Sequence, residues 1–443
     1  MPAGALVVLL VALLVAGCGT GPPDHVRIGL VAPLTGPRAA IGEQMLRGAE
    51  LAVEDLNAGG GLLGAEVELV VTDSAELIDL PRRLADLAER ARVSAVVGPE
   101  SPGLLLGPRS PLTRRGVPAV LPSAFAGDLD TAATPVVRIV PGARDQAEAL
   151  AQWLVEQRRA ERLVVLVADA VEGQVARAAI EAGLAAGGLP PSAVVSVDGS
   201  GRAMGPAVAA LRREVPDADA LLLWGWPDAV ARATLAVRAT GWDVQVAVPS
   251  SAFVGTYRGL AADASEGVVL PFPFEPRFFG ADITAWMLRY QASFGLGSLP
   301  ELDTLVIDVP VVALATYDAV GVVAEAVRAV GSREPAEVAA ALPGLAHDGL
   351  LRDYRLDASD AWDAQDLRIA RIHHLGVVFD VDPRLDPAAQ RTFWQLQVSA
   401  EYLLDLAGEG PARALIERLL GPGERTPPDY RAPLPAPGPV GRP

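Results

Sequence analysis

Cysteine is almost missing from this chain: Cys18 is the only one in 443 residues. One thiol closes no internal disulfide, and it builds no zinc site without several histidines. Histidine is scarce too, with His25, His347, His373 and His374 spread through the sequence. No metal site and no cofactor are expected. Lysine is absent, so the 37 basic residues are all arginine and face 54 acidic ones. The formal charge of −17 argues against nucleic-acid binding, which needs clustered positive charge. Aromatics make up only 5% of the chain. The longest purely aliphatic run, Ala5 to Ala16, is shorter than the roughly 20 apolar residues that span a bilayer.

What is present is aliphatic bulk. Apolar residues form 51% of the chain, mostly Ala, Val and Leu. The length exceeds one ordinary core and predicts two lobes. The Ala5–Ala16 run reads as the apolar region of a signal peptide, residues 1–17. It leads into Val15-Ala16-Gly17-Cys18, which resembles the bacterial lipobox, whose cysteine becomes lipid-modified after cleavage. Residues 18–25 would then be a polar tether. Met1 to Gly4 carries no Arg or Lys, a departure from ordinary export signals.

Beyond the tether, β-type runs alternate with helical periodicity. Val26–Val31 reads as a strand, and Ile41, Met45, Ala49, Ala52 and Leu56 then recur on one helix face. Asn57 and the glycines after it stop that helix. Val67–Val71, Ala95–Val97 and Ala119–Leu121 are further strands, with a helix at Pro81–Ala91. The pattern restarts after Arg138. Helices at Asp145–Gln157 and Gln174–Ala186 alternate with strands at Leu163–Val167, Val194–Val197, Ala220–Trp224 and Gln245–Val248. A late strand is expected over Leu367–Val378. Continuous apolar strands between amphipathic helices imply parallel sheets covered on both faces. The fold class is therefore α/β, with two doubly wound, Rossmann-like lobes. Such sheets bind ligands beyond the carboxyl ends of their strands. From Leu385 the character changes: a helical extension is expected over 385–420 and a proline-rich disordered tail over 421–443.

Several motifs invite chemistry and fail their context. Gly59 to Gly64 fits G-x-G-x-x-G, yet it follows a helix and precedes a strand, the reverse of a dinucleotide site. Ser101, Ser123, Ser250 and Ser251 stand in post-strand turns, but there is no G-x-S-x-G elbow and no histidine in a matching turn. His373-His374 reads as strand or strand edge. In Trp224-Gly225-Trp226, strand alternation points both indoles to one face. Core packing is one reading of the pair; in the other Trp226, the farther along, joins Phe125 and Phe253 in an apolar binding surface. Nothing here reads as an enzyme.

Several stretches together resemble the branched-chain amino-acid type of periplasmic binding protein, the type I receptor ligand-binding fold. They are "RIGLVAPLTGPRAAIGEQMLRGAELAVEDLNAGGGLLG" (27–64), "VSAVVGPES" (93–101), "GVPAVLPSAFA" (116–126), "AADASEGVVLPFPF" (261–274) and "TYDAVGVVAEAVRAVG" (316–331). The likeness covers roughly residues 26–380. It implies one lobe from 26–141 and 275–345, another from 142–270 and 346–380, and a hinge of three crossing segments. Closure of the hinge around a ligand is the motion such a fold performs.

The resemblance also implies a site in the interlobe cleft, at Ile41, Glu100, Ser101, Pro102, Ser123, Ala124, Phe125, Trp226 and Ser250. The chain departs from the family pattern in that site. Pro102 stands where a serine would anchor a ligand carboxylate, and Phe125 replaces a hydroxyl residue. Ser250 stands where a glutamate would bind an ammonium group. A buried ammonium without a paired charge costs several kcal/mol. Glu100 is the one candidate to supply that charge from the other side. The sequence therefore disfavours a zwitterionic amino acid and favours an apolar or aromatic compound carrying a carboxylate or amide.

The implied function is a lipid-anchored, extracytoplasmic solute-binding protein, tethered to the membrane through Cys18. It would be a monomer that delivers a small-molecule ligand to an ABC permease. The rival reading keeps the fold but makes the chain a regulatory or structural lipoprotein whose 385–443 extension contacts another protein.

Overall fold

The structure is a computed structural model. It describes residues 25–75, 79–100, 110–122, 136–169, 171–198, 201–272, 281–294, 305–306, 310–356, 364–373, 376–379 and 397–398. The signal-peptide segment, the tether up to residue 24 with Cys18, and the tail at 421–443 lie outside these residues.

The first sheet is built from the first five strands: β1 (Val26–Ala32), β2 (Val67–Asp73), β3 (Ala95–Val97), β4 (Ala119–Leu121) and β5 (Val136–Arg138). They run in the order β2-β1-β3-β4-β5, and every neighbouring pair is parallel. One face carries α1 (Ala39–Ala58), whose apolar stripe buries Ile41, Met45, Ala49 and Ala52 as its spacing predicts. On the other face, α2 (Leu80–Ala85), a π-helical turn at Asp86–Ala91, and α3 (Pro111–Arg114) bury Leu80, Leu84, Leu87 and Leu112 against Val31, Val96 and Leu121.

The second sheet begins after α4 (Ala143–Arg158). It takes β6 (Leu163–Asp169), β7 (Ala193–Asp198), β8 (Ala220–Trp224), β9 (Gln245–Ala247) and β10 (Val269–Phe272). Between these strands come α5 (Val171–Ala186), α6 (Met204–Glu214), α7 (Pro227–Thr240) and α8 (Gly255–Ala261). The chain then returns to the first lobe. There α9 (Ala281–Phe294), the short β11 (Leu305–Val306), α10 (Val311–Val330) and α11 (Pro335–Ala341) lead into a hairpin of β12 (Ala346–Asp348) and β13 (Asp353–Arg355). Finally β14 (Arg368–His373) and β15 (Gly376–Phe379) close the second sheet in the order β15-β14-β10-β9-β8-β6-β7. The two last-formed strands pair antiparallel, and the rest are parallel.

The chain thus passes between lobes after Arg138, between Phe272 and Ala281, and between Leu356 and Ala364. One apolar cluster includes residues of both lobes together with Ile139 and Val140 of the first crossing. No helix among the described residues is long and apolar enough to cross a membrane.

Four expectations change. The late strand over Leu367–Val378 is two antiparallel strands, with His373 at the end of β14 next to the turn. The hairpin at 346–355, expected with the second lobe, is held to α10 of the first: Asp318 accepts the Leu350 and Leu351 amides at 2.8 Å each and the Tyr354 hydroxyl at 3.0 Å. Within the expected 385–420 helices, Gln397–Val398 instead forms a two-residue strand, β16, antiparallel to β11. There an available backbone edge outweighs helical spacing.

The fourth change concerns the two tryptophans, which do not share a face. Trp224 is buried among α4 and α5 residues, whereas half-buried Trp226 packs on the other cluster. Strand alternation ends at Trp224 because Gly225 turns the chain there. A Cβ on Gly225 would come within 2.7 Å of the Ala168 Cβ, so this turn also hugs β6.

Candidate functional site

Strand order decides which turns meet. With β1 between β2 and β3, the three turns at their carboxyl ends are neighbours. The turn after β2 carries Asp73, which accepts the Leu34 amide at 2.9 Å, the Thr35 hydroxyl at 2.7 Å and the Ala75 amide at 3.0 Å. Partial burial pushes this carboxyl up, but the hydrogen bonds from Ala75, Thr35 and Leu34 outweigh it and hold its pKa below the ordinary value. The loop after β1 is thereby pinned. It is pinned from the other side as well, since a Cβ on Gly42 of α1 would sit 2.1 Å from the Pro33 carbonyl oxygen. The loop ends in a 3-10 turn, Gly36–Arg38, which delivers Arg38 to the start of α1.

The turn after β3 delivers Glu100. Gly98 has φ +90° and would bring a Cβ within 2.3 Å of the Val31 carbonyl oxygen, so only glycine lets this turn lie against β1. Glu100 is 1% exposed. Its Oε1 accepts from Arg38 Nη1 at 2.6 Å, and its Oε2 accepts from the Ser74 hydroxyl at 3.1 Å. A buried carboxylate needs such partners, because leaving it unpaired costs several kcal/mol.

The second lobe meets this pair through Trp226. The Arg38 Cζ lies 4.6 Å from the centroid of the Trp226 ring, a cation–π contact from one lobe to the other. Trp226 caps the start of α7, just past the carboxyl end of β8. Beside it, the turn after β9 begins with a 3-10 turn, Ser250–Ala252, in which both serines are buried. The Ser250 amide donates to Gln146 Oε1 at 3.0 Å, and Gln146 Nε2 donates to the Pro141 carbonyl at 3.1 Å. Gln146 therefore ties the first interlobe crossing to the binding-side turn of the second lobe. The buried Ser251 hydroxyl has no hydrogen-bond partner among the described residues.

The expected site residues divide accordingly. Glu100 and Trp226 come together through Arg38. Ser250 sits in the turn after β9 and is 8% exposed. Ile41 is 2% exposed and packs in the first-lobe core, so it offers a ligand no surface in this conformation. Ser101, Pro102, Ser123, Ala124 and Phe125 lie outside the described residues. Phe253, expected as an open aromatic face, is buried under the Arg258 guanidinium, 5.2 Å from its centroid.

Sequence reasoning missed Arg38, Asp73 and Gln146. Two signals were available. Arg38 is the only charged residue between β1 and Glu43, and Gln146 is a polar residue on the buried face of α4 beside Ala143, Ala147 and Leu150.

A cavity of about 610 Å³ opens between α1, α10 and the β12–β13 hairpin, lined by Asp55, Leu56, Tyr317 and His347 among others. Its α1 residues, Ala52, Asp55 and Leu56, are toward the opposite end of a 20-residue helix from Arg38. A helix of that length spans about 30 Å. This cavity is not the strand-end site.

Residues 25–375 match the family model described as a periplasmic binding protein. The Leu/Ile/Val-binding protein BraC3 of Rhizobium johnstonii is 34% identical over 186 residues, which are 41% of this chain and 50% of that protein. The leucine-, isoleucine-, valine-, threonine- and alanine-binding protein of Pseudomonas aeruginosa is 24% identical over 339 residues, 72% of this chain and 82% of that one. With the first of these relatives, the chain aligns over about half of the relative's length.

Among solved structures, the branched-chain amino acid transporter substrate-binding protein LivJ of Streptococcus pneumoniae, in complex with isoleucine, superposes with TM-score 0.66 at 19% identity. That match covers 81% of this chain and 100% of LivJ. A solute-binding protein of an ABC transporter from Rhodopseudomonas palustris, in complex with 3,4-dihydroxybenzoic acid, gives TM-score 0.67 at 18% identity, covering 81% and 96%. At such identities the superpositions establish the fold.

Proposed function

This chain belongs to the periplasmic binding protein family, and on that premise we propose that it is the extracytoplasmic solute-binding component of an ABC importer, holding a small organic ligand between its lobes. The observation that carries this reading is the meeting of Arg38, Glu100 and Trp226 at the carboxyl ends of strands from both lobes. Selectivity would come from the shape of the cleft and a few polar groups, with no chemistry performed on the ligand.

Ser101, Pro102, Ser123, Ala124, Phe125, Trp226 and Ser250 are the proposed ligand-facing set, and Arg38 joins them with Glu100 buried behind it as its counter-charge. Relatives named for leucine, isoleucine and valine suggest an amino acid. Two features of this chain point away from a zwitterion. Ser250 replaces the glutamate that the family resemblance leads one to expect, and Glu100 already has a cation in Arg38. The proposed ligand is an apolar or aromatic compound carrying a carboxylate or amide. A neighbour bound to 3,4-dihydroxybenzoic acid is compatible with that choice.

The chain is further proposed to act as a monomer, anchored through a lipid on Cys18 and docking on a membrane permease. A thermal-shift screen over amino acids, aromatic acids, amides and sugars tests the reading, since a ligand that binds only the folded state raises the melting temperature. A hit supports solute binding. A screen with none favours the regulatory lipoprotein, for which the departures at Pro102, Phe125 and Ser250 already speak. Mass spectrometry of the mature N-terminus tests the anchor separately.

A further inference from the structure

We propose that Arg38 is the anion-binding residue of the cleft, and that the ligand is an organic carboxylate without an amino group. This rests on the solute-binding reading above and specifies the ligand's charge.

Two contacts hold the guanidinium, and a third holds its carboxylate partner. Nη1 is held by Glu100 Oε1 at 2.6 Å, the plane lies against Trp226 at 4.6 Å, and Glu100 itself is steadied by the Ser74 hydroxyl at 3.1 Å. The Arg38 side chain is 21% exposed while that of Glu100 is 2% exposed, so the arginine is the member of the pair that a solute reaches. A guanidinium carries five N–H donors in a rigid fork. Only the Nη1 contact has an acceptor among the described residues, which leaves the Nε and Nη2 donors for an incoming group. A carboxylate takes two such donors side by side.

The charge balance points the same way. Glu100 neutralises Arg38, so the cation is tolerated in a half-buried place. For the same reason Glu100 is not available to an ammonium group unless Arg38 leaves it. The second-lobe turn opposite offers Ser250 and Ser251, both neutral. A zwitterion would bring a positive charge that neither carboxylate of the first-lobe frame is placed to take: Glu100 is paired with Arg38, and Asp73 is engaged by Leu34, Thr35 and Ala75. An acid lacking the amino group brings only the charge that Arg38 receives. Because the guanidinium also touches Trp226, the bound carboxylate would sit at the seam between lobes, where it reports closure.

The test is calorimetric and thermal-shift binding by the purified protein of matched sets. These are benzoate with benzamide, 4-methylpentanoate with its carboxamide and with leucine, and a wider library of aliphatic and aromatic acids, each beside its carboxamide and, for the aliphatic acids, its α-amino acid. The acids are expected to bind at least about tenfold more tightly than their carboxamides or amino acids, the margin a charge-assisted pair commands. R38Q is expected to abolish that preference, and R38K to restore part of it. Carboxamides or amino acids that bind as well as the acids overturn the assignment of Arg38 and leave the solute-binding reading intact. A library in which nothing binds overturns the solute-binding reading itself. If R38Q fails to fold, the comparison within the wild-type protein still decides.

Discussion

The two lobes present unlike edges to each other. The first brings charge: Asp73, Arg38 and Glu100 form a hydrogen-bonded frame across three adjacent strand ends. The second brings to that meeting an indole, two buried serines and a glutamine strut. The difference extends inward. The first lobe buries a carboxylate, Asp318, as the clasp of its hairpin, whereas the second lobe ties its binding-side turn with the neutral Gln146. Where one wall supplies the charge and the other the aromatic face, closure completes a site that neither lobe holds alone.

The sharpest way to break this arrangement is at Gly98. Ala there would meet the Val31 carbonyl at 2.3 Å in a positive-φ conformation, and we expect a loss on the order of 4 kcal/mol in urea denaturation. Gly241 of the second lobe also has positive φ, but it faces open space, so Gly241→Ala should cost only about 1 kcal/mol. Equal losses would remove the claim that the charged edge depends on close backbone contact.

Next comes the clasp. Asp318→Ala strands two amides and a hydroxyl and should cost about 3 kcal/mol. It also carries a pH signature. Burial pushes Asp318 up to about 7, against the opposing hydrogen bonds from Leu351, Leu350 and Tyr354. A raised carboxyl favours the folded state most below its unfolded value of about 3.8, and that contribution is lost as pH rises toward 7. Denaturant midpoints measured from pH 4 to 7 should therefore show a decline that Asp318→Asn flattens. A slope unchanged in the Asn variant would refute it.

The neutral strut should matter less. Gln146→Ala leaves the Ser250 amide without its partner and should cost about 1–2 kcal/mol, with no pH dependence across the same range.

The smallest effect tests the contact between lobes directly. A double-mutant cycle with Arg38→Met and Trp226→Leu should return a coupling of about 0.5–1 kcal/mol. Zero coupling in the ligand-free protein would mean that the two edges are merely adjacent.

Much of this was legible in the chain. Val26–Val31, Ala95–Val97, Ala119–Leu121 and Ala220–Trp224 could be placed because buried parallel strands are continuous apolar runs, and α1 because its stripe repeats at helical spacing. Val136–Arg138 and Val269–Phe272 were not placed as strands. Val136–Arg138 is a half-buried edge strand that ends in arginine, and Val269–Phe272 carries Pro271, so neither reads as a continuous apolar run and each becomes a strand through its neighbours in the sheet. In the site, Glu100 and Trp226 could be named from position and family likeness. Arg38 could not, because its meaning lies in two partners at positions 100 and 226.

What the sequence determined alone is therefore the kind of protein: parallel α/β lobes, a restart after Arg138, and a family resemblance along most of its length. Local periodicity and composition encode those features, since each depends on residues a few positions apart. The tertiary structure decided which charges meet. Strand order set Asp73, Arg38 and Glu100 side by side, Gly98 and Gly42 let the backbones close, and the second lobe brought Trp226 over the guanidinium. A salt bridge spanning 62 residues of chain leaves no periodic trace, because its stability comes from burial and geometry that exist only once the sheet has formed.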